Sequence, residues 1–457
     1  MTDPIKTYAF VHHHITVVRA GATPSLQVPE PLSRKTPVMI LLLVFMLLFS
    51  VVSAQQMETV PEVERVLPKA LESYRWFHSH PELSKQEEKT SKRLAQELRA
   101  AGLEVIENVG GYGVIGLLKS GKRGPVVLYR ADMDALPVTE ATGLPFASLN
   151  KGVMHACGHD LHMSCAIGVL TLLAQNRDDW EGTILFVGQP AEEVGSGAEA
   201  ILADPRFQEL LAEVGNPRLA LALHDDAGLP AGQVAVTPGY VTANVDSVDI
   251  TIHGKGGHGA APDLTVDPVV IGSELVQSLQ TIVSRKLPPG TRAVVTVGVF
   301  QAGTKRNIIS SKAELKLTIR SYEPEIRERI VEEIERMSAQ IAAAHGAPKP
   351  PTVYHHAESY TPAGFNDITW AGKLRKLFQD ELGVENVKDL PPSMVGEDFS
   401  EYSKGLKIPS VIFLLGAGAQ DGSTAGLHSN KFAPQAEEAL RTGIQLMRLS
   451  LLEALRP

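Results

Sequence analysis

The sequence predicts an α/β protein, a helix-flanked sheet interrupted once by a smaller β-α-β-β-α-β unit, and three observations predict it. Four short, nearly continuous apolar runs, at residues 126–130 (VVLYR), 183–189 (TILFVGQ), 219–223 (LALAL) and 411–415 (VIFLL), have the composition of strands covered on both faces. Segments of helical spacing lie between them, the alternation that builds a sheet with helices packed on it. Between about 242 and 356 the order becomes strand, helix, strand, strand, helix, strand, the ferredoxin-like pattern, and the first alternation resumes near 363 with FNDITWAGKLRKLF.

The elements follow in chain order. Residues 38–52 (VMILLLVFMLLFSVV) have Ser50 as their one polar member, with Arg34-Lys35 before and Ser53-Ala54-Gln55 after. A spanning helix needs about 20 apolar residues, so this basic, apolar, small-residue order predicts a signal peptide cleaved after Ala54. The alternative is a retained membrane anchor. Residues 58–101 carry apolar positions at helical spacing and stop at Gly102. Helices are expected at 160–175, around 196–204 and at 434–455, between the four strands. In the interruption, strands are expected at 245–254, 293–300, 313–322 and around 350–356, with helices at 267–285 and 324–345. The expected division is therefore a leader (1–54), a first part of the larger domain (55–241), an inserted domain (242–356) and a second part of the larger domain (357–457).

Composition narrows the function. With 457 residues, 44% hydrophobic, 21% charged, 39 Gly and 30 Pro, the chain is neither disordered, collagen-like nor coiled-coil. A formal net charge of -9 argues against a nucleic-acid surface. Two cysteines, Cys157 and Cys165, exclude a multi-disulfide scaffold even for an exported chain.

Chemistry-bearing residues gather where the expected strands end. His155, Cys157, His159, Asp160 and His162 crowd the start of the helix at 160–175, where a helix N-terminus or a nearby cation lowers a thiol's pKa and favours the ligating thiolate. Cys165 falls on the apolar face of that helix and reads as core. Glu192 and Glu193 follow the strand at 183–189, at the carboxyl edge where α/β sheets place their sites. Two adjacent carboxylates can divide labour, one ligating a metal and the other moving a proton. His224 follows LALAL and His428 lies in GLHSNKF. Cys157, His159, Glu193, His224 and His428 make five ligands, too many for one tetrahedral site and suited to two divalent ions. Asp132 and Asp134, after VVLY, are either second carboxylates orienting ligand imidazoles or an Asp-rich turn. The Gly-rich loop at 253–262 carries His258 and no phosphate-binding signature; it is an ordinary turn or a device that presents an oxyanion donor.

Together these motifs resemble the dinuclear-metal aminoacylase and carboxypeptidase family, in the branch of hippurate hydrolase, N-acyl-amino acid amidohydrolases and plant auxin-conjugate hydrolases. RADMDALP, GVMHACGHDLH, QPAEE, LPAGQVAV, HGKGGHGAAP, GEDFSEY and LHSNKF occur in that family's order along essentially the whole mature chain. The resemblance implies a catalytic domain with an inserted lid or dimerisation domain, a homodimer, and two Zn²⁺ or Mn²⁺ ions on Cys157, His159, Glu193, His224 and His428. It makes Glu192 the general base, His258 the oxyanion donor, and Asn307 and Arg320 the anchors of the substrate carboxylate. Three stretches depart from the family pattern: Leu223-His224-Asp225-Asp226-Ala227, Gly259-Ala260-Ala261-Pro262-Asp263 and Asn307-Ile308-Ile309-Ser310. None removes a ligand or the base.

The expected activity is metal-dependent hydrolysis of the amide of an N-acyl amino acid, on small substrates outside the cytoplasm, secreted or periplasmic. Two relatives of that reading are a metallo-dipeptidase or carboxypeptidase acting on short peptides, and an exported metal- or amino-acid-binding protein without catalysis. A third reading makes Cys157 a nucleophile, although no Cys-x-x-Cys supports redox chemistry.

Overall fold

The computed structural model describes residues 61–357 and 360–457, and the leader at 1–54 lies outside the described residues. None of the described helices is long and apolar enough to cross a membrane.

The helical spacing over 58–101 resolves into two helices, α1 (Pro61–Ser79) and α2 (Glu88–Ala100). Pro81 and the turn at 84–85 interrupt it, and Leu83 bridges to Ala135 instead. Strands β1 (Glu104–Val109), β2 (Gly113–Lys119) and β3 (Val126–Asp132) follow, then α3 (His159–Gln175), β4 (Thr183–Gln189), α4 (Gly197–Ala203), α5 (Pro205–Val214), β5 (Leu219–Pro230), β6 (Val234–Ala235) and β7 (Gly239–Thr242). The inserted unit comprises β8 (Asn244–His253), β9 (Gly257–His258), α6 (Pro268–Thr281), β10 (Val294–Ala302), β11 (Ile308–Ile309), β12 (Lys312–Ser321), α7 (Pro324–Ala344) and β13 (Thr352–His355). The chain then returns through β14 (Gly364–Asn366), α8 (Ile368–Leu382), β15 (Val387–Lys388), α9 (Ser400–Leu406), β16 (Ser410–Gly418) and α10 (Ala436–Leu455).

The large sheet has the order β1-β2-β4-β3-β5-β16-β6-β15. Its centre is parallel, β4, β3, β5 and β16 running side by side. Every residue of β3 is buried, as continuous apolar runs require when helices cover both faces. Helices α1, α3 and α10 pack together on one face, and α3, apolar nearly all round, is buried along most of its length. Ala198, Ile201, Phe207, Leu210, Phe399 and Tyr402 bring α4, α5 and the start of α9 onto the opposite face.

The smaller sheet is antiparallel with the order β10-β12-β8-β13, which is the ferredoxin-like arrangement. Strand β8 alternates buried and half-buried residues without exception. The buried set, with its counterparts on β12, packs on α6 and α7, so one face is core and the other stays open. This is the helix-flanked sheet with an inserted ferredoxin-like lid that the sequence predicts.

Candidate active site

The carboxyl edge of the large sheet gathers the ligating residues. Cys157 and His159 precede and open α3, and the turn between them depends on Gly158. Its φ of 79° is left-handed, and an added Cβ would stand 2.2 Å from Oδ1 of Asp225, so only glycine fits. Beneath this turn Met154, Ala156, Ala227 and Phe432 form a small buried cluster. Ala156 also accepts the backbone N–H of His428 at 2.7 Å, which ties the C-terminal histidine to the Cys157 segment. His224 lies within β5, not after it: the strand outruns LALAL because its next side chains line the site instead of the core.

Ligating atoms converge without bonding one another well. Cys157 Sγ lies 3.3 Å from His428 Nε2 and 3.7 Å from His224 Nε2. His428 Nε2 lies 3.6 Å from Glu193 Oε2, and His159 Nε2 lies 3.8 Å from Glu192 Oε2. Both ring nitrogens of His159 and Oε1 of Glu193 are buried with no hydrogen-bond partner. Buried polar atoms left unpaired cost about 1–3 kcal/mol each, and a shared divalent cation would satisfy such a donor set. Two triads, Cys157–His159–His224 and Cys157–Glu193–His428, have donor atoms within 4.8 Å of one another and share the thiol. Thiolate, imidazole and carboxylate together suit zinc or a similar divalent ion.

A second layer holds these donors. Asp134 accepts the backbone N–H groups of Glu192 and Glu193, each at 3.1 Å, and Ser84 donates to it at 2.6 Å. Ala191, at a φ of 55°, donates its own N–H to the fully buried Glu87 at 2.8 Å. Asp132 binds His162 Nδ1 at 2.6 Å and faces His159 Nε2 at 3.8 Å. Arg130, wholly buried, donates to Glu397 at 2.8 Å and Gln189 at 3.0 Å, with Asp132 at 2.5 Å.

Electrostatics follow from burial. Desolvation pushes the Glu192 carboxyl well above its ordinary range, with Glu397 adding to the rise and His159 opposing it. Desolvation likewise raises the Cys157 thiol, with both neighbouring glutamates adding to it. His159 opposes that rise, and a bound cation would favour the thiolate further. His162 reaches about 9 because Asp132 and Asp225 outweigh the burial that would lower it.

The cavity over this cluster measures about 700 Å³ and is lined by Cys157, Glu192, Glu193, His224, Arg320 and His428, among others. Arg320 reaches it from the end of β12, and among the described residues nothing hydrogen-bonds its guanidinium. His258 and Asn307 do not line it. They sit exposed on the short β9–β11 ladder, where Asn307 accepts the N–H of Gly259 at 2.9 Å. That ladder adjoins the Lys312 end of β12, eight residues from Arg320, or about 27 Å of extended strand. In one chain the expected carboxylate anchors are thus split. Glu87, Arg130 and Glu397 belong to the site but were not expected in it, and His162, counted among the ligand types at the start of this helix, was given no role there. Only His162 carries a local signal, three residues past His159 on one helix face.

A buried donor cluster and paired carboxylates at the edge of a parallel sheet, beneath an inserted lid, define an amidohydrolase- or peptidase-like hydrolase. The chain belongs to the peptidase family M20/M25/M40, whose family model matches residues 128–453. It is 37% identical over 345 residues to an N-acetylcysteine deacetylase of Bacillus subtilis (strain 168), covering 74% of this chain and 86% of that protein. It is 34% identical over 373 residues to thermostable carboxypeptidase 1 of Saccharolobus solfataricus, covering 81% of this chain and 91% of that protein. Among solved structures it resembles the Bacillus subtilis YXEP protein, described as a dinuclear metal binding peptidase of the M20 family. That match has a TM-score of 0.73 and 32% identity over 86% of this chain and 99% of the other.

Proposed function

We propose that this hydrolase cleaves the amide bond of N-acyl amino acids, with Glu192 as general base and proton carrier. The observation that carries the reading is the Glu192–Glu193 pair, held side by side by Asp134 and facing the donor cluster, with the Arg320 guanidinium on the same cavity wall. Bound at these donors, two divalent ions would supply Lewis acidity toward the scissile carbonyl, acidify a water and hold both carboxylates ionised. The water oxygen attacks the carbonyl carbon while its proton passes to Glu192. Glu192 then gives that proton to the nitrogen as the C–N bond breaks, leaving a carboxylic acid and a free amino acid. Arg320 would bind the amino acid's carboxylate through paired N–H groups.

The resemblance to a deacetylase supports N-acyl substrates, and the resemblance to a carboxypeptidase supports a second reading in which a short peptide occupies the same cavity. A homodimer accompanies this reading, because one chain keeps His258 and Asn307 away from its own cavity and a part for them in the reaction would require a second copy to present them. Export is proposed on the run at 38–52 and the small residues before Gln55.

The test is amine release by the full chain loaded with Zn²⁺ or Mn²⁺, against N-acetyl, N-benzoyl and indoleacetyl amino acids and dipeptides. Turnover should stop with a chelator and return with the ion. Glu192→Gln should keep its metal and lose roughly 10²–10⁴-fold in kcat. A variant retaining both metal and turnover overturns the role of Glu192. No turnover across the panel with metal bound points to a binding protein.

A further inference from the structure

The sheet face that carries His224 continues into a second cavity. Strands β5 and β16 run parallel with His224 opposite Leu414. Residues two apart on a strand share a face, so Ile412 and Leu414 lie on the side to which His224 and Asp226 point. They floor an enclosure of about 180 Å³ whose walls include Val241, Leu390, Pro391 and Pro392. It shares His224, Val395, Gly396, Glu397 and Leu427 with the cavity over the donor cluster, so the two spaces adjoin.

The roof is pinned in place. Ser393 donates its N–H to Val241 at 2.9 Å, Val395 accepts that of Ala243 at 2.9 Å, and Thr237 Oγ1 donates to Leu390 at 3.1 Å. The acidic side chains on the lining are held by neighbours, with Oδ2 of the buried Asp225 alone among their oxygens buried without a hydrogen-bond partner among the described residues. Arg130 holds Glu397 at 2.8 Å, His162 holds Asp225 at 3.1 Å, and Asp226 accepts the N–H of Gly228 at 2.7 Å. What remains for an occupant is chiefly aliphatic and proline surface.

We propose that this enclosure is the subsite for an apolar substituent of the substrate, of the size of a phenyl ring or a branched aliphatic chain. The inference rests on the hydrolase reading above and adds the chemical class of the group recognised. Size supports it, because a cavity of about 150 Å³ lined by aliphatic and aromatic side chains is enough to bind benzene. Reach supports it too. Adjacent strands lie about 4.8 Å apart, so Leu414 is one strand from the ligand His224, and a group attached directly beside the scissile amide enters without a spacer. Two parts of a substrate carry such a group: the acyl chain, and the side chain of the amino acid.

The experiment uses two substrate series with wild type, Leu414→Trp and Leu414→Ala in the metal-loaded full chain. One series varies the acyl group on glycine (acetyl, isovaleryl, benzoyl, naphthoyl); the other keeps N-acetyl and varies the amino acid (Gly, Leu, Phe). The readout is the ratio of kcat/KM between large and small members. Leu414→Trp should lower that ratio about tenfold or more in at least one series, since one methylene in such a pocket changes discrimination by about 10–200-fold. Leu414→Ala should raise it for the largest group. A folding defect depresses all substrates alike and cannot move the ratio in opposite directions. Movement in the acyl series assigns the pocket to the acyl chain, and movement in the other assigns it to the side chain. Ratios unmoved in both series overturn the proposal while leaving the hydrolase reading intact. Calorimetric binding of N-benzoylglycine and N-acetylphenylalanine supplies the converse. Selective weakening by Leu414→Trp without turnover in any variant keeps the subsite and overturns the hydrolase reading.

Discussion

Three consecutive backbone amides, those of Ala191, Glu192 and Glu193, donate to only two side chains, Glu87 and Asp134. Ala191 is left-handed there, a conformation a non-glycine residue keeps only when its surroundings enforce it. Glu87→Ala removes the acceptor and leaves the Ala191 N–H buried and unpaired, at about 1–3 kcal/mol. The expected outcome is a fall in kcat of at least tenfold with metal content unchanged, because the turn carrying Glu192 relaxes. Glu87→Gln, which keeps a carbonyl acceptor, should recover most of the rate. Equal rates in wild type and Glu87→Ala would show that the turn holds itself. A second residue-scale prediction concerns His78, whose Nδ1 lies 2.7 Å from Asp160 and whose Nε2 lies 3.3 Å from Glu140. Burial alone would lower its pKa, but the hydrogen bonds to Asp160 and Glu140 carry it from 6.5 up to about 9. The folded state therefore holds the proton more tightly than the unfolded state. That stabilisation is full below pH 6.5 and is lost as pH rises toward 9. His78→Gln should lower Tm at pH 6 by an amount that shrinks at pH 9.5, and a deficit equal at both pH values would mean that His78 is not the titrating group. The sequence made Cys157, His159, Glu192 and Glu193 legible because each stands in a short run of ligand types at a strand or helix end. Glu87, Arg130 and Glu397 were hidden for a different reason. Arg130 and Glu397 are 267 residues apart, and their meaning exists only once the sheet has formed.

Among the helices, α3 and α10 approach closely enough that glycine becomes a packing requirement. A Cβ at Gly443 would stand 2.8 Å from Leu415 Cδ2 and 3.0 Å from Cys165 Sγ. Cys165 is thus the core residue its position on the apolar helix face foretold. Gly443→Leu should destabilise the fold by about 1–3 kcal/mol or more through overpacking. Thermal unfolding would register this as a lower Tm, and an unchanged Tm would mean that α10 slides on the sheet. The same contrast explains which elements could be read in advance. The central strands and α3 are buried on all sides, so hydrophobicity alone marks them. Strand β1 escaped notice because Glu104–Val109 keeps only one buried residue, whereas β2 is buried except at Lys119 and was missed because Gly113 and Gly116 break up its short apolar run. The reach of β5 past Leu223 was equally hidden, since His224, Asp225 and Asp226 read as a polar loop while their backbone stays in the sheet.

At the scale of the whole molecule, the edge strand β10 has, among the described residues, a bonded neighbour, β12, on one side only, and unpaired edges are templates for a second chain. It exposes Phe300 (39%), and Ile308 on the adjoining β9–β11 ladder is 51% exposed. That ladder also carries His258 and Asn307, about 27 Å along β12 from Arg320. A single copy cannot place all three on one small substrate in this conformation, so a shared role for them would require a second copy, joined near β10, to bring its ladder over the first copy's cavity. The expected sedimentation result is a dimer that the paired change Phe300→Lys and Ile308→Lys splits into folded monomers. If the ladder serves the neighbouring copy, those monomers should retain their metal but lose kcat about as severely as His258→Ala does in the intact dimer. Mixing His258→Ala chains with Glu192→Gln chains should then restore part of the activity, because one mixed cavity combines an intact Glu192 with an intact ladder. A monomer of full activity, or a mixed dimer no better than its inactive parents, would confine catalysis to the residues of one chain and leave His258 without a part in it.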